Sequence, residues 1–220
     1  MAITLYDYWR SSASYRVRIA LNLKGIAYET VVVDLLSGEH RKSEHMARNP
    51  QGLLPALDID GQMLTQSLAI IEYLEDTRPT VRLLPADPVL KSHVRAAALS
   101  IAMEIHPVCN LNVGNHMAEL VGGEPNQKDA VKKAWMQHFI RKGLLATETL
   151  VVAIKTQHPS EGPFLTGKTP GLFECCLVPQ MYNVQRWEVD ASGLTHLHAI
   201  TEACSGLDAF HRAVPDRVKG

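Results

Sequence analysis

The apolar run Ile3–Trp9 passes directly into Arg10-Ser11-Ser12-Ala13-Ser14-Tyr15-Arg16, and from there into Val17–Lys24, a helical pattern stopped by Gly25. A strand (about Ile3–Trp9) that becomes a helix (about Ser14–Lys24) through three serines restricts what can come next. The next apolar run, Ala27–Val33, is β-branched and reads as a buried strand beside the first. Together they form a βαβ unit, which predicts a parallel pair joined by a right-handed crossover. The same turn sets hydroxyls and main-chain N–H groups at a helix N-terminus. That end carries partial positive charge and favours an anion, a thiolate included. Arg10 and Arg16 add fixed charge on either side. Ser11, Ser12 and Ser14 are equally suited to ordinary helix capping.

Downstream, Asp34 to Arg41 is a polar loop, a short helix is predicted through Met46, and Asn49-Pro50-Gln51-Gly52 is a turn cluster. Leu53–Ile59 and Gln62-Met63-Leu64 flank Asp60-Gly61, a strong hairpin signal. Leu68–Leu74 is an amphipathic helix with Ser67 as its expected N-cap, ended by Pro79. Residues 1–82 therefore read β-α-β-(α)-β-β-α, the order of a thioredoxin-like α/β domain. Thioredoxins carry CxxC where this chain has Ser11-Ser12-Ala13-Ser14, which excludes dithiol redox chemistry there.

Pro79, Pro85 and Pro88 mark a linker, and residues 88–215 read as a second, all-α domain. Asp87-Pro88 is an N-cap followed by proline at the first helical position, and helix signals run to His106, where Pro107 intervenes. Gly122-Gly123-Glu124-Pro125 is a loop, and Asn126 is the expected cap of a long helix reaching about Thr156. Leu172–Arg186 reads as a buried central helix disturbed at Pro179, and Leu194 to about Phe210 as the last helix.

Composition narrows the function. The 220 residues carry a formal net charge of -1 without blocks of like charge, which argues against nucleic acid or an anionic membrane surface as a partner. No stretch approaches the roughly 20 apolar residues of a membrane span. Neither a signal peptide nor a metal is expected: Asp7 and Arg10 come too early for the first, and the ten histidines show no metal-ligand spacing. The four cysteines, Cys109, Cys175, Cys176 and Cys204, form no CxxC pair and fit a reducing cytoplasm.

Several longer stretches carry a family likeness: Arg10–Leu21, Asn49–Leu57, Gln66–Leu74, Ile105-His106-Pro107 and Cys175–Gln180. On these the chain resembles the cytosolic glutathione transferases, and among them the zeta class, over nearly its whole length. The resemblance implies the architecture of a thioredoxin-like domain followed by a helical domain, glutathione as cofactor, a small diacid substrate and a homodimer. It implies a glutathione-dependent cis–trans isomerase that turns maleylacetoacetate into fumarylacetoacetate in tyrosine breakdown. Alternatives within the same resemblance are a transferase acting on α-halo acids, a maleylpyruvate isomerase, and a glutathione-binding protein without catalysis.

Site residues follow from the same likeness. Ser11 would hydrogen-bond the glutathione sulfur, with Ser12 and Ser14 as helpers. Leu54-Pro55 resembles a cis-proline turn that leaves the backbone of residue 54 to pair with the cysteinyl unit. Gln66 and Ser67 would hold the γ-glutamyl end, and His40 and Gln51 the glycyl end; His106 also matches a position near the cofactor. Arg10 and Arg186 would bind carboxylate, and His106, Asn110, Leu111 and Asn112 would border the substrate. Two departures stand out. Ala13 replaces a family cysteine, and Gly171 with Glu174 replaces a hydroxyl–aspartate capping box, where Glu174 is expected still to reach back.

Overall fold

The computed structural model describes residues 2–219. In chain order the elements are β1 (Thr4–Asp7), α1 (Ser12–Leu23), β2 (Glu29–Val32), a 3-10 turn (Glu39–Arg41), α2 (Ser43–Arg48), β3 (Ala56–Ile59), β4 (Gln62–Thr65) and α3 (Ser67–Thr77). Then follow α4 (Pro88–Leu99), a π turn (Ser100–Ile105), α5 (Leu111–Val121), α6 (Pro125–Gln157), α7 (Leu172–Arg186), α8 (Thr195–Ser205), α9 (Asp208–His211) and α10 (Pro215–Val218). The chain divides into two compact units: the stretch up to Leu84 joined by the stretch from Ser205, and Pro85–Cys204.

The first unit is a four-stranded mixed sheet in the order β2-β1-β3-β4. β1 and β2 are parallel, with Thr4 opposite Glu29. β3 runs antiparallel to both β1 and β4. The expected βαβ unit and hairpin are both present. Asp60 (φ 55) and Gly61 (φ 74) form the two-residue loop in left-handed backbone, as a type I′ turn requires. Asp60 is held there by both terminal nitrogens of Arg78, at 2.6 and 2.7 Å, and by the Tyr73 hydroxyl at 2.6 Å. These partners, Arg78 foremost, bring its carboxyl down to about 2 and fasten the hairpin to α3.

Four expectations change. Ala27–Val33 is not a buried strand: β2 is exposed throughout, because it is the sheet edge and pairs with β1 alone. β-branched residues suit an edge as well as a centre, so composition does not separate the two. The N-cap of α3 is Gln66, and Ser67 is already helical. The N-cap of α6 is Glu124, with Pro125 at the first position; the Glu124 N–H donates to Gln127 Oε1 at 2.9 Å. The expected helix over 194–210 is broken after Ser205, and α9 and α10 follow separately.

A buried ion pair organises the first unit. Leu5 and Asp7 share the buried face of β1. α1 crosses that face and delivers Arg18, which is 0% exposed. Arg18 NH1 donates to both carboxylate oxygens of Asp7, at 2.8 and 2.7 Å. NH2 donates to the Trp9 carbonyl at 2.9 Å, and Nε to the Ala213 carbonyl at 3.1 Å. One turn along α1, Asn22 donates to the Ala209 carbonyl at 2.9 Å. These two carbonyl contacts join α1 to the residues after Ser205 within the first unit.

The second unit is helical, with only an isolated bridge between Phe164 and Gly167. Asp87 caps α4 through the Leu90 N–H at 2.7 Å, and Pro88 follows it as expected. Glu174 does reach back: its carboxylate accepts the Gly171 and Leu165 N–H groups, both at 2.8 Å. Burial raises the Glu174 carboxyl, and those N–H donors oppose the shift. α8 is capped from α6, since Glu148 accepts the His196 and Leu197 N–H groups at 2.8 and 3.0 Å. Among the described residues no helix is long and apolar enough to cross a membrane.

Asp7→Ala leaves the Arg18 guanidinium buried with its anion gone. Denaturant unfolding of this variant should show a loss of about 3–5 kcal/mol, with part of it recovered when Arg18→Met is added.

Candidate functional site

The turn between β1 and α1 is set from behind by Arg18, which holds the Trp9 carbonyl, and by the Ser11 N–H bond to the Tyr8 carbonyl at 2.9 Å. α1 begins at Ser12, two residues earlier than the pattern suggests, because Ser11 caps it. Ser11 Oγ accepts the Ser14 N–H at 3.2 Å. A hydroxyl that accepts in this way keeps its own proton for donation. The first main-chain helical bond runs from Tyr15 N–H to the Ser11 carbonyl, so the Ser12 and Ala13 N–H groups lie ahead of it, at the positive end of the dipole. Ser11, Ser12 and Ala13 are half-buried, whereas the Ser14 hydroxyl is fully enclosed. Arg10 is half-buried beside this turn. Its guanidinium carbon lies 5.0 Å from the Trp9 ring centre, and NH2 lies 3.4 Å from the Tyr8 hydroxyl.

A second wall comes from the loop before β3. Asn49 Nδ2 donates to the Leu53 carbonyl at 2.8 Å, His45 Nε2 lies 3.0 Å from the same oxygen, and Asn49 Oδ1 accepts the Gln51 N–H at 3.1 Å. The Leu54-Pro55 peptide is cis. The loop's main-chain hydrogen bonds leave out the Leu54 N–H and carbonyl. His40 is buried, and its carbonyl lies against Gly52, whose φ of 62 and close neighbours favour glycine. Burial lowers the His40 pKa, and Arg41 and His45 lower it further.

The start of α3 closes the group. Gln66 adopts φ 67 and ψ 113, a conformation that side-chain-bearing residues rarely take. Its amide donates to Gln51 Oε1 at 2.6 Å. Ser67 is 6% exposed, and its Oγ accepts from Arg16 NH1 at 3.3 Å. In this unit hydrogen bonds thus join Gln51 to Gln66 and α1 to Ser67. Arg16 was seen in the sequence only as charge beside the turn; its bond to Ser67 was missed. Arg16 and Arg18 lie inside the segment Ser14–Leu21, which the structure buries throughout.

The remaining sequence candidates lie in the second unit. His106 is half-buried at the end of the π turn, where its N–H donates to the Ile101 carbonyl at 3.0 Å. Asn110 caps α5, a helix the sequence reading did not separate, by accepting the Asn112 N–H at 3.0 Å. Leu111 is half-buried and Asn112 exposed. Arg186 is half-buried at the last position of α7, with its guanidinium carbon 4.9 Å from the Trp187 ring centre.

None of the cysteines is placed for chemistry. Cys175, Cys176 and Cys204 are buried. Burial pushes the Cys109 thiol up to about 12, and burial with the nearby Glu174 raises Cys204 as well. Among the described residues no three His, Cys, Asp or Glu side chains group as metal ligands.

Residues 1–76 match the model of the glutathione S-transferase N-terminal domain. A maleylacetoacetate isomerase of Rhizobium meliloti strain 1021 is 55% identical over 215 residues, 98% of this chain and 97% of that one. Among solved structures, a holo maleyl pyruvate isomerase described as a bacterial zeta-class glutathione S-transferase superposes with a TM-score of 0.90 at 41% identity, covering 98% of both chains. A maleylacetoacetate isomerase of Methylobacterium extorquens AM1, with bound malonate and glutathione, superposes with a TM-score of 0.87 at 37% identity, covering 97% of both.

Two measurements test the site's electrostatics. With its thiol near 12, only about one Cys109 in ten thousand is a thiolate at pH 8; an aromatic disulfide reagent should leave Cys109 unlabelled in the native protein and label all four cysteines in denaturant. His40 titrates below its ordinary 6.5 when folded, so the unfolded chain takes up the proton first as pH falls. Its contribution to stability should therefore be complete above pH 6.5 and decline below it, and in His40→Gln this part of the decline should be missing from the unfolding curve.

Proposed function

The chain belongs to the glutathione S-transferase family, and we propose that it is a zeta-class, glutathione-dependent isomerase of maleyl diacids, with maleylacetoacetate as substrate and fumarylacetoacetate as product. The observation that carries the reading is Ser11: its oxygen is committed to the Ser14 N–H, and its proton is left to donate at the N-terminus of α1. That arrangement favours a thiolate over a thiol. Two pKa units correspond to about 2.7 kcal/mol, within reach of a charged hydrogen bond plus the helix dipole.

The residues fit glutathione along its length. Leu54 presents main-chain groups outside the loop's own bonding, in the manner of a strand edge, to the cysteinyl unit. Ser67 and the first turn of α3 meet the γ-glutamyl carboxylate, with Gln66 beside them. Gln51 and His40 face the glycyl end. Ser12 assists Ser11, and Ser14 contributes through its N–H and the cap rather than its enclosed hydroxyl.

When bound, glutathione supplies the thiolate whose reversible addition turns the cis double bond into a rotatable single bond, so that elimination leaves the trans isomer. Ser11 holds the sulfur in its anionic form before addition and after elimination. Arg10 and Arg186 bind the diacid's carboxylates and stabilise charge that develops on the conjugated carbonyl. His106, Asn110, Leu111 and Asn112 complete the substrate's surroundings. Ala13 has no thiol to offer, and none is required when the sulfur comes from glutathione. The family likeness also supports a cytoplasmic homodimer working in the breakdown of tyrosine.

Turnover of maleylacetoacetate followed by absorbance tests the reading. Conversion should require glutathione without consuming it. Ser11→Ala should cut kcat/KM about a hundredfold, and Arg186→Ala should raise the substrate KM about tenfold. Conjugation of a halo acid with no isomerisation would favour the transferase alternative, and glutathione binding with neither activity the non-catalytic one.

A further inference from the structure

We infer that Arg16 is a positioning residue for the γ-glutamyl end of glutathione, acting through Ser67; the inference rests on the function proposed above. Arg16 is 2% exposed on α1, and its NH1 donates to Ser67 Oγ at 3.3 Å across 51 residues of sequence. A hydroxyl carries one proton and two lone pairs. Once the Ser67 oxygen accepts from a guanidinium, its own proton is turned away from that cation and becomes a donor to whatever lies beyond. Gln66 fixes the other side: its left-handed backbone starts α3 so that the first helical bond is Ile70 N–H to the Gln66 carbonyl, and the Ser67 N–H lies ahead of it. A carboxylate arriving there meets a main-chain N–H, a pre-set hydroxyl donor and, behind the hydroxyl, a buried positive charge that water screens little.

The same device operates at Ser11, whose oxygen accepts the Ser14 N–H and whose proton is spare. One serine is thereby set to donate to a thiolate and the other to a carboxylate. At Ser11 the orienting donor is a neutral main-chain group. At Ser67 it is a full cation, which suits the ligand group that is charged at every working pH. The competing view is that Arg16 only ties α1 to α3, and it makes a different prediction, since a strut has no preference between a ligand carboxylate and its amide.

Calorimetric titration separates the two. The ligands are glutathione and its analogue with the γ-glutamyl α-carboxylate converted to a carboxamide. The proteins are wild type, Arg16→Gln, Arg16→Lys, Ser67→Ala and the Arg16→Gln/Ser67→Ala double variant, each checked for its unfolding midpoint. Arg16→Gln should weaken glutathione about tenfold while changing the amide analogue less than about twofold. The double variant should be little weaker than Ser67→Ala alone, the signature of one residue acting through the other. Should Arg16→Gln fail to fold, Arg16→Lys decides by the ratio of its two affinities, which should fall toward the ratio seen for Ser67→Ala. Equal weakening of both ligands, or effects of Arg16 and Ser67 that add, would overturn the inference. Unchanged glutathione affinity in Ser67→Ala would remove the Ser67 assignment and the inference with it. Absence of glutathione binding by the wild type would instead overturn the functional reading itself.

Discussion

The contact of Arg18 NH1 with both carboxylate oxygens of Asp7 is the constraint on which the first unit rests. A guanidinium and a carboxylate taken out of water are stable only when each is paired and the remaining N–H groups find acceptors. Arg18 meets that condition by binding Asp7 at the end of β1, the Trp9 carbonyl in the turn and the Ala213 carbonyl near α10. The carbonyl that Arg18 grips belongs to the residue just before Arg10 and two before Ser11. A fold-holding contact therefore also helps fix where the catalytic hydroxyl of the proposed reaction stands.

A second regularity is that side-chain acceptors, some local and some distant in sequence, take up main-chain and guanidinium donors. Glu148 on α6 caps α8, and Glu174 secures both its own helix and the Leu165 N–H. Ser11 and Ser67 each accept a donor from the protein and keep their own hydroxyl proton. Polar groups used in this way satisfy the interior's demand for hydrogen bonds while each serine keeps a proton to donate.

Much of this was legible in the sequence, for identifiable reasons. The Asp60-Gly61 pair announced its hairpin because few residue pairs tolerate two successive left-handed positions. The three serines marked the α1 N-terminus because hydroxyls compete well for its first N–H groups. Glu174 was foreseen to reach back at the start of α7, and it does so by accepting the Gly171 N–H, although Gly171 has no side chain to return a cap. What stayed hidden was set by tertiary placement. Nothing local told that Glu29–Val32 would be an edge, since its β-branched residues suit either position. Ser67 looked like a cap, and the left-handed Gln66 took that place instead. Arg16 read only as charge beside the turn and Arg18 only as part of the helical pattern, because a sequence does not display the distant Ser67, Asp7 and Ala213 that make their burial tolerable.

The contact between Arg18 and Ala213 spans 195 residues. It makes the first unit discontinuous, with the whole of the helical unit inserted between its two pieces of chain. During synthesis the ribosome delivers the sheet and α1 first, yet Arg18 has no Ala213 carbonyl to bind until residue 213 has emerged. The helical unit, continuous and richer in local contacts, can complete itself earlier. The nascent sheet unit is thus obliged to wait with the Arg18 guanidinium only partly satisfied.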